Sequence, residues 1–231
     1  MQWVRFMFTN LINRNRAVLV SPYINFNILL GLNIINALVD SIPGKGIVIC
    51  SYRVSSELVK KIIDEYKNIG FLNSFACLDN PNVYVIILSN IEADNLLRCF
   101  VNASKLFVLA ERVWSLNKLR NAGWSIYRVK RVDQATYSLL SIYEDEVVLL
   151  NIKGYAIYQS QIPEDVMLIY REVLNHVREF GSIRASDLLR YMVKVLGYDK
   201  EFVLNAIRRS IAIGILGYQS GYLFPKMSVN I

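Results

Sequence analysis

Two hydrophobic periods alternate along the first two thirds of the chain. Short, nearly wholly apolar runs recur at 17–20 (AVLV), 47–50 (IVIC), 83–88 (VYVIIL) and 105–110 (KLFVLA). Between them lie segments with apolar residues three and four apart. Over 55–68, Leu58, Val59, Ile62, Ile63 and Tyr66 form one stripe, and Lys60, Lys61, Asp64 and Lys67 take the other side. That is the pattern of an amphipathic helix. Helices are predicted over 26–40 with Asn25 as cap, 55–68 with Gly70 as the stop, 92–103, 114–122, and around 133–142. Further strands are predicted over 124–129, 146–152 and 155–159, the last two joined as a hairpin at Gly154. Strands alternating with helices imply βαβ units and a parallel sheet. Continuous apolar strands imply a sheet covered on both faces. The expectation for residues 1–161 is an α/β domain: a mainly parallel, Rossmann-like sheet with helices on both faces.

The pattern changes at Pro163, and the boundary is placed at 160–163, leaving 162–231 as a second domain. Pro163-Glu164-Asp165 opens a helix with acids at its positive end, and Gly181 closes it. A short extended piece follows at 182–184. A second helix begins at Ala185 or Ser186, with Leu188, Leu189, Met192, Val193 and Leu196 on its core side. Asp199 caps a third, from Lys200 to about Ile213, which Gly214 ends. Residues 215–219 and 222–224 read as a tight hairpin around Ser220-Gly221.

On the third helix Val203, Ala206, Ile207 and Ser210 fall on one side. Asn205, Arg208 and Arg209 share the other. Arginine presents a fork that matches guanine O6/N7, and asparagine matches adenine N6/N7. Lys200 sits at the helix start, and Arg184 and Arg190 are placed for phosphates. Gln219, Tyr222 and Lys226 are the hairpin candidates. Three helices followed by a two-stranded wing is the order found in winged helix-turn-helix proteins. The stretch 163–226 resembles that superfamily by order of elements, without a diagnostic peptide. The resemblance implies a C-terminal winged-helix domain on double-stranded DNA. The opposing reading is a solvated helix face with Glu201 and Glu179 nearby. From 163 to 231 there are nine Lys and Arg against seven Asp and Glu, a weak local bias.

In a parallel sheet, ligands gather at the carboxyl ends of strands. Those ends read Ser21-Pro22-Tyr23, Ser51-Tyr52-Arg53, Ser89-Asn90 and Glu111-Arg112. Ser21, Ser51, Arg53, Ser89, Asn90 and Arg112 are therefore candidates to hold a phosphate or nucleotide. Ser and Asn are also ordinary capping residues at strand-to-helix turns. Neither G-x-x-x-x-G-K-[ST] nor G-x-G-x-x-G occurs, which argues against an ATPase or an NAD enzyme. The stretches VLVSPYI and GIVICSYR are similar to phospholipase-D-like nucleases, but that chemistry needs histidine, and the one histidine of the chain, His176, lies elsewhere. His176 reads as a structural residue between Val173 and Phe180.

Composition narrows the rest. The chain has 231 residues, 54% hydrophobic and 19% charged, with 26 Lys and Arg against 19 Asp and Glu, a net charge of +7. A packed core is assured and a polyanion partner is compatible. Cys50, Cys77 and Cys99 make neither a C-x-x-C nor an even set, so three buried free thiols in a reducing cytosol are expected. The run 26–39 is too short and too interrupted by Asn27, Asn33 and Asn36 to span a membrane. Residues 1–15 form either an amphipathic arm or a first element of the domain. Asp64-Glu65, Glu92-Asp94, Glu111 and Glu144-Asp145-Glu146 are the candidates for a metal nuclease.

These readings converge on a non-enzymatic, cytoplasmic DNA-binding regulator without a cofactor. It is expected to be a homodimer, with the α/β domain dimerising or sensing a small ligand or nucleotide. This layout resembles ligand-sensing regulators with Rossmann-like domains. The rivals are an adaptor subunit that uses the C-terminal domain for protein contact, and the metal nuclease.

Overall fold

The computed structural model describes residues 11, 13–41, 46–51, 69–72, 82–143 and 147–226. In chain order the elements are β1 (Arg16–Val20), α1 (Ile24–Ser41), β2 (Ile47–Ser51), β3 (Ile69–Leu72), β4 (Val83–Glu92), α2 (Ala93–Cys99), β5 (Lys105–Trp114), α3 (Leu116–Asn121), β6 (Ser125–Arg131), β7 (Thr136–Ser141), β8 (Val147–Lys153) and β9 (Ala156–Ser160). Then come α4 (Glu164–Phe180), β10 (Ile183–Arg184), α5 (Ala185–Lys194), α6 (Lys200–Ile213), β11 (Leu216–Gln219) and β12 (Tyr222–Pro225).

Nine strands form one sheet in the order β3-β2-β4-β5-β1-β6-β7-β8-β9. From β3 to β6 the neighbours run parallel. Beyond β6 the direction changes. β7 and β8 pair antiparallel. The links 132–135 and 154–155 are far too short for parallel crossovers, so β6–β7 and β8–β9 are hairpins as well. The expectation of a mainly parallel, Rossmann-like sheet is thus corrected: the sheet is mixed, and its second half is antiparallel.

The cause lies in residues 133–142, expected as a helix. Asp133 does offer its carboxylate to two following N–H groups, those of Ala135 (2.9 Å) and Thr136 (2.8 Å). That is what a helix cap does, but an Asx turn makes the same bonds. The chain then enters Tyr137, Ser138, Leu139 and Leu140, all buried, as a strand. β3 was also unforeseen, because Gly70 read as a helix stop. Residues 52–68, including the helix expected at 55–68, lie outside the described residues.

By packing the chain forms two compact units, Met1–Val129 with Ile152–Tyr158, and Lys130–Asn151 with Gln159–Ile231. In the first, the middle of β1, residues 83–88 of β4 and residues 106–110 of β5 are buried. Helix α1 lies so close to the sheet that a Cβ on Gly31 would meet Ile87 Cδ1 at 2.8 Å. The asparagine that interrupts α1 has a structural use. Buried Asn33 donates through Nδ2 to Tyr155 O (3.0 Å) and to Leu29 O (2.8 Å), and its Oδ1 accepts from Ile157 N (3.2 Å). Its carboxamide stands where a further strand would, bonding backbone groups at the last strand of the sheet.

The second unit is not the free-standing winged-helix domain that was expected. Its core joins α4, α5, α6 and the hairpin to Leu149 of β8, with Val132 and Val147 packed against it. It contains three helices with a three-stranded antiparallel sheet, β10-β12-β11, on a core that draws in residues from before the expected boundary.

The three cysteines are not all free. Cys50 is a buried free thiol, its pKa pushed up to about 11 by burial. Cys99, at the end of α2, is disulfide-bonded, which corrects the expectation of reduced thiols. Cys77 lies outside the described residues. Among the described residues no helix is long and apolar enough to cross a membrane.

Asn33→Leu is expected to leave Tyr155 O and Ile157 N without a partner. Denaturant unfolding should show a loss of about 1–3 kcal/mol. An unchanged unfolding midpoint would remove the strand-substituting role.

Candidate nucleic-acid interface

Helix α6 is held at both ends and along one side. At its start the Asp199 side chain accepts from Phe202 N (2.9 Å), a capping bond. At its end Gly214 takes φ 95° and returns its N–H to Ser210 O, a left-handed stop that favours glycine. Val203, Ala206, Ile207, Ser210 and Ile213 are buried. The hydroxyl in that row is satisfied internally, since Ser210 Oγ donates to Ala206 O (2.7 Å). Residues 201, 202, 205, 208 and 209 are therefore forced outward, and all five are exposed. So is Lys200 at the helix start, and Arg190 on α5.

Asn205, Arg208 and Arg209 do share the exposed side, but they are not equivalent. Arg209 Nη1 is bonded to Asp165 Oδ2 at 2.8 Å, and the Asp165 side chain is only 19% exposed. This pair ties α6 to the first turn of α4. The Arg209 charge also reaches Asp133 in the β6–β7 turn. Burial raises the pKa of Asp133, but the N–H groups of Ala135 and Thr136, the Thr136 hydroxyl and Arg209 together outweigh it, so the carboxyl lies below its usual value. Among the described residues the side chains of Asn205 and Arg208 make no hydrogen bond or ion pair.

Arg184 and Tyr222 form a second group. They are register partners on β10 and β12. Arg184 Nε donates to Tyr222 Oη at 3.0 Å, with its guanidinium 5.3 Å from the ring centroid. The hairpin turn has positive φ at Ser220 (51°) and Gly221 (88°), the two-residue form that matches strand twist. Gly221 O accepts from Ala185 N at 2.9 Å, so the turn is pinned to the start of α5. Gln219 and Lys226 are exposed on either side of it.

Two exposed aromatic residues were not singled out from the sequence. Tyr198 and Phe202 stack with centroids 5.9 Å apart and planes 17° off parallel. Phe202 is 40% exposed. The turn before them carries Val195 and Leu196, also exposed; α5 stops at Lys194, so Leu196 does not lie on its core side as expected. A helical wheel does place Phe202 on the outer side, one turn before Asn205, and that was the available signal.

The strand-end candidates do not come together. Ser21 is fully buried. Its Oγ accepts from Tyr23 N (3.2 Å) and its carbonyl from Asn27 Nδ2 (3.1 Å), so it closes the turn into α1. Strands β4 and β5 continue past β1, to Glu92 and Trp114. Ser89, Asn90 and Arg112 therefore lie within strands and not at their ends. Asn90 and Arg112 are opposite one another, on one face. Ile87 points to α1, so Ser89, two residues on, takes the α1 face and Asn90 the other. The sheet separates Ser89 from Arg112. Ser51 ends β2 in register with Ile87, and Arg53 lies outside the described residues.

His176 is half-buried, its Nδ1 donating to Glu172 O (2.8 Å) and its ring packed at 4.9 Å from Tyr191. Among the described residues no group of three or more His, Cys, Asp or Glu could hold a metal ion. No protein-family model matches the chain, and no curated protein matches it in sequence.

Arg209→Ala should raise the Asp133 titration midpoint in a carboxyl NMR titration. A depressed carboxyl stabilises the fold above its ordinary pKa, near 3.9, and the benefit disappears as pH falls through the lower folded value. The stability change at neutral pH should stay below about 1 kcal/mol, because the Arg209 end of the pair is half exposed.

Proposed function

We propose that this chain is a double-stranded-DNA-binding protein, a transcriptional regulator that acts as a homodimer and reads the major groove with α6. One observation carries the reading. Asn205 and Arg208 stand one turn apart on the outer side of a helix whose inner side is locked in a core, and neither is engaged by the described protein. Fourteen residues make a rod of about 21 Å, ample to cross a groove about 12 Å wide. Asparagine and arginine are the side chains that match adenine and guanine edges. Lys200, Arg190 and Arg184 supply cations for phosphates, which position and do not specify. Arg209 supports α6 through Asp165 and contributes to its placement.

Dimerisation is proposed because one such module has a small contact area and operators are read as paired half-sites. The α/β unit supplies the dimer contact or senses a ligand. The cytoplasm is the proposed location. The disulfide at Cys99 then asks for an interior that tolerates disulfides, as that of hyperthermophiles does. A second reading, a docking module for another protein, is favoured by the exposed Phe180, Val195, Tyr218 and Phe224.

The test is anisotropy of the full chain on labelled mixed-sequence duplex across salt. Affinity should fall steeply from about 50 to 200 mM salt through counterion release. Asn205→Ala and Arg208→Ala should each cost about 1–3 kcal/mol on a preferred sequence. Lys200→Ala should weaken every sequence alike and flatten the salt slope by about one. Binding that is indifferent to salt and to both base-reading substitutions would sink the reading.

A further inference from the structure

The exposed aromatic pair at the start of α6 is the feature that the reading above leaves unused. Phe202 is 40% exposed and Tyr198 36%. They are not loose. Tyr198 N is bonded to Met192 O at 3.0 Å, and Phe202 N to the Asp199 cap at 2.9 Å. The rings lie nearly parallel, 17° apart, so each covers part of the other's face and leaves edges outward. Lys194 precedes the turn, and Asp199, Lys200 and Glu201 lie between the rings in sequence, all four exposed. Those four charges cancel, so what the start of α6 offers is an apolar edge, and it suits a partner that presents apolar groups to the helix. Duplex DNA offers that in its major groove, where the thymine C5-methyl is the apolar group.

Register makes the match specific. Phe202 and Asn205 are three residues apart on one side of α6. That spacing is about 4.5 Å along a helix axis, comparable with the 3.4 Å step between bases. If Asn205 grips an adenine edge, Phe202 reaches the neighbouring base pair.

We propose that Phe202, braced by Tyr198, reads the C5-methyl of a thymine next to the adenine held by Asn205. The site then selects a step of two A·T pairs. The inference rests on the DNA-binding reading and adds the base class that the helix start recognises.

The test uses the full chain to enrich sequences from a randomised duplex pool. The winning duplex is then remade with deoxyuridine at each thymine in turn, which removes one methyl and nothing else. At one position, adjacent to the adenine protected by Asn205, the native protein should bind about three- to fivefold more weakly, as expected for one lost methyl-sized contact. Phe202→Ala should bind the thymine duplex correspondingly more weakly and show no further loss with deoxyuridine there. The deoxyuridine series on the native protein stands even if the alanine variant does not fold. A protein that enriches and binds a duplex but ignores every methyl refutes this inference and leaves the DNA-binding reading intact. The same holds if the methyl effect persists in Phe202→Ala, or if that substitution changes no duplex affinity, which would assign the pair to a protein partner. Failure to bind any duplex overturns both.

Discussion

The seating of α6 is the constraint on which the functional argument depends. Five side chains, Val203, Ala206, Ile207, Ser210 and Ile213, are buried along one side. All but Ser210 join the apolar residues of α4, α5 and the hairpin in one core. Once those five are inside, the helix has no rotational freedom left, and Asn205 and Arg208 must face outward. The Asp199 cap and the Gly214 stop set its length. A Cβ at Gly214 would also meet Leu140 at 2.9 Å, so the end of α6 and β7 fit closely. A surface for recognition is here a by-product of core packing, and its rigidity comes from the side of the helix that a partner never touches.

Polar residues inside the other unit are used in the opposite sense. Asn33 and Ser21 look like functional groups in a list of residues, yet both spend their hydrogen bonds on backbone. Asn33 substitutes for a strand, and Ser21 closes the turn at the end of β1. A buried polar group without a partner is costly, so a satisfied one is first of all a structural solution. Arg209 is the surface counterpart. Its position matches that of Arg208 on the helix, but its guanidinium is directed to Asp165.

The C-terminal elements were legible because their signals are local. Proline and two acids open α4, glycine at φ 77° closes it, and Asp199 caps α6. Each is decided within about four residues. β7 was illegible because its opening signal, Asp133 bonded to the next two N–H groups, is common to helix caps and Asx turns. The lengths of β4 and β5 were missed for a different reason: Ser89, Asn90, Glu111 and Arg112 are polar, and only pairing with each other keeps both strands extended past the sheet's middle. The ligand candidates failed to converge because a period of two places Ser89 and Asn90 on opposite faces, a fact invisible until one knows both are in a strand.

By itself the sequence determined the order of the C-terminal helices, the ends of α4 and α6, and which side of α6 is apolar, because capping and periodicity act between residues a few positions apart. Tertiary structure alone decided that antiparallel pairing begins at β7 and not only at the last hairpin, that β8 contributes to the core beneath α4 to α6, and that Arg209 is engaged while Arg208 is not. The Arg209 pairing reaches 44 residues along the chain, to Asp165, and the Asn33 bond to Ile157 reaches 124; the antiparallel pairing is short-range, with Leu140 opposite Val147, and was hidden by the ambiguous turn at Asp133. No local pattern encodes a partner at such distance; only the folded chain brings the charges and the edges together.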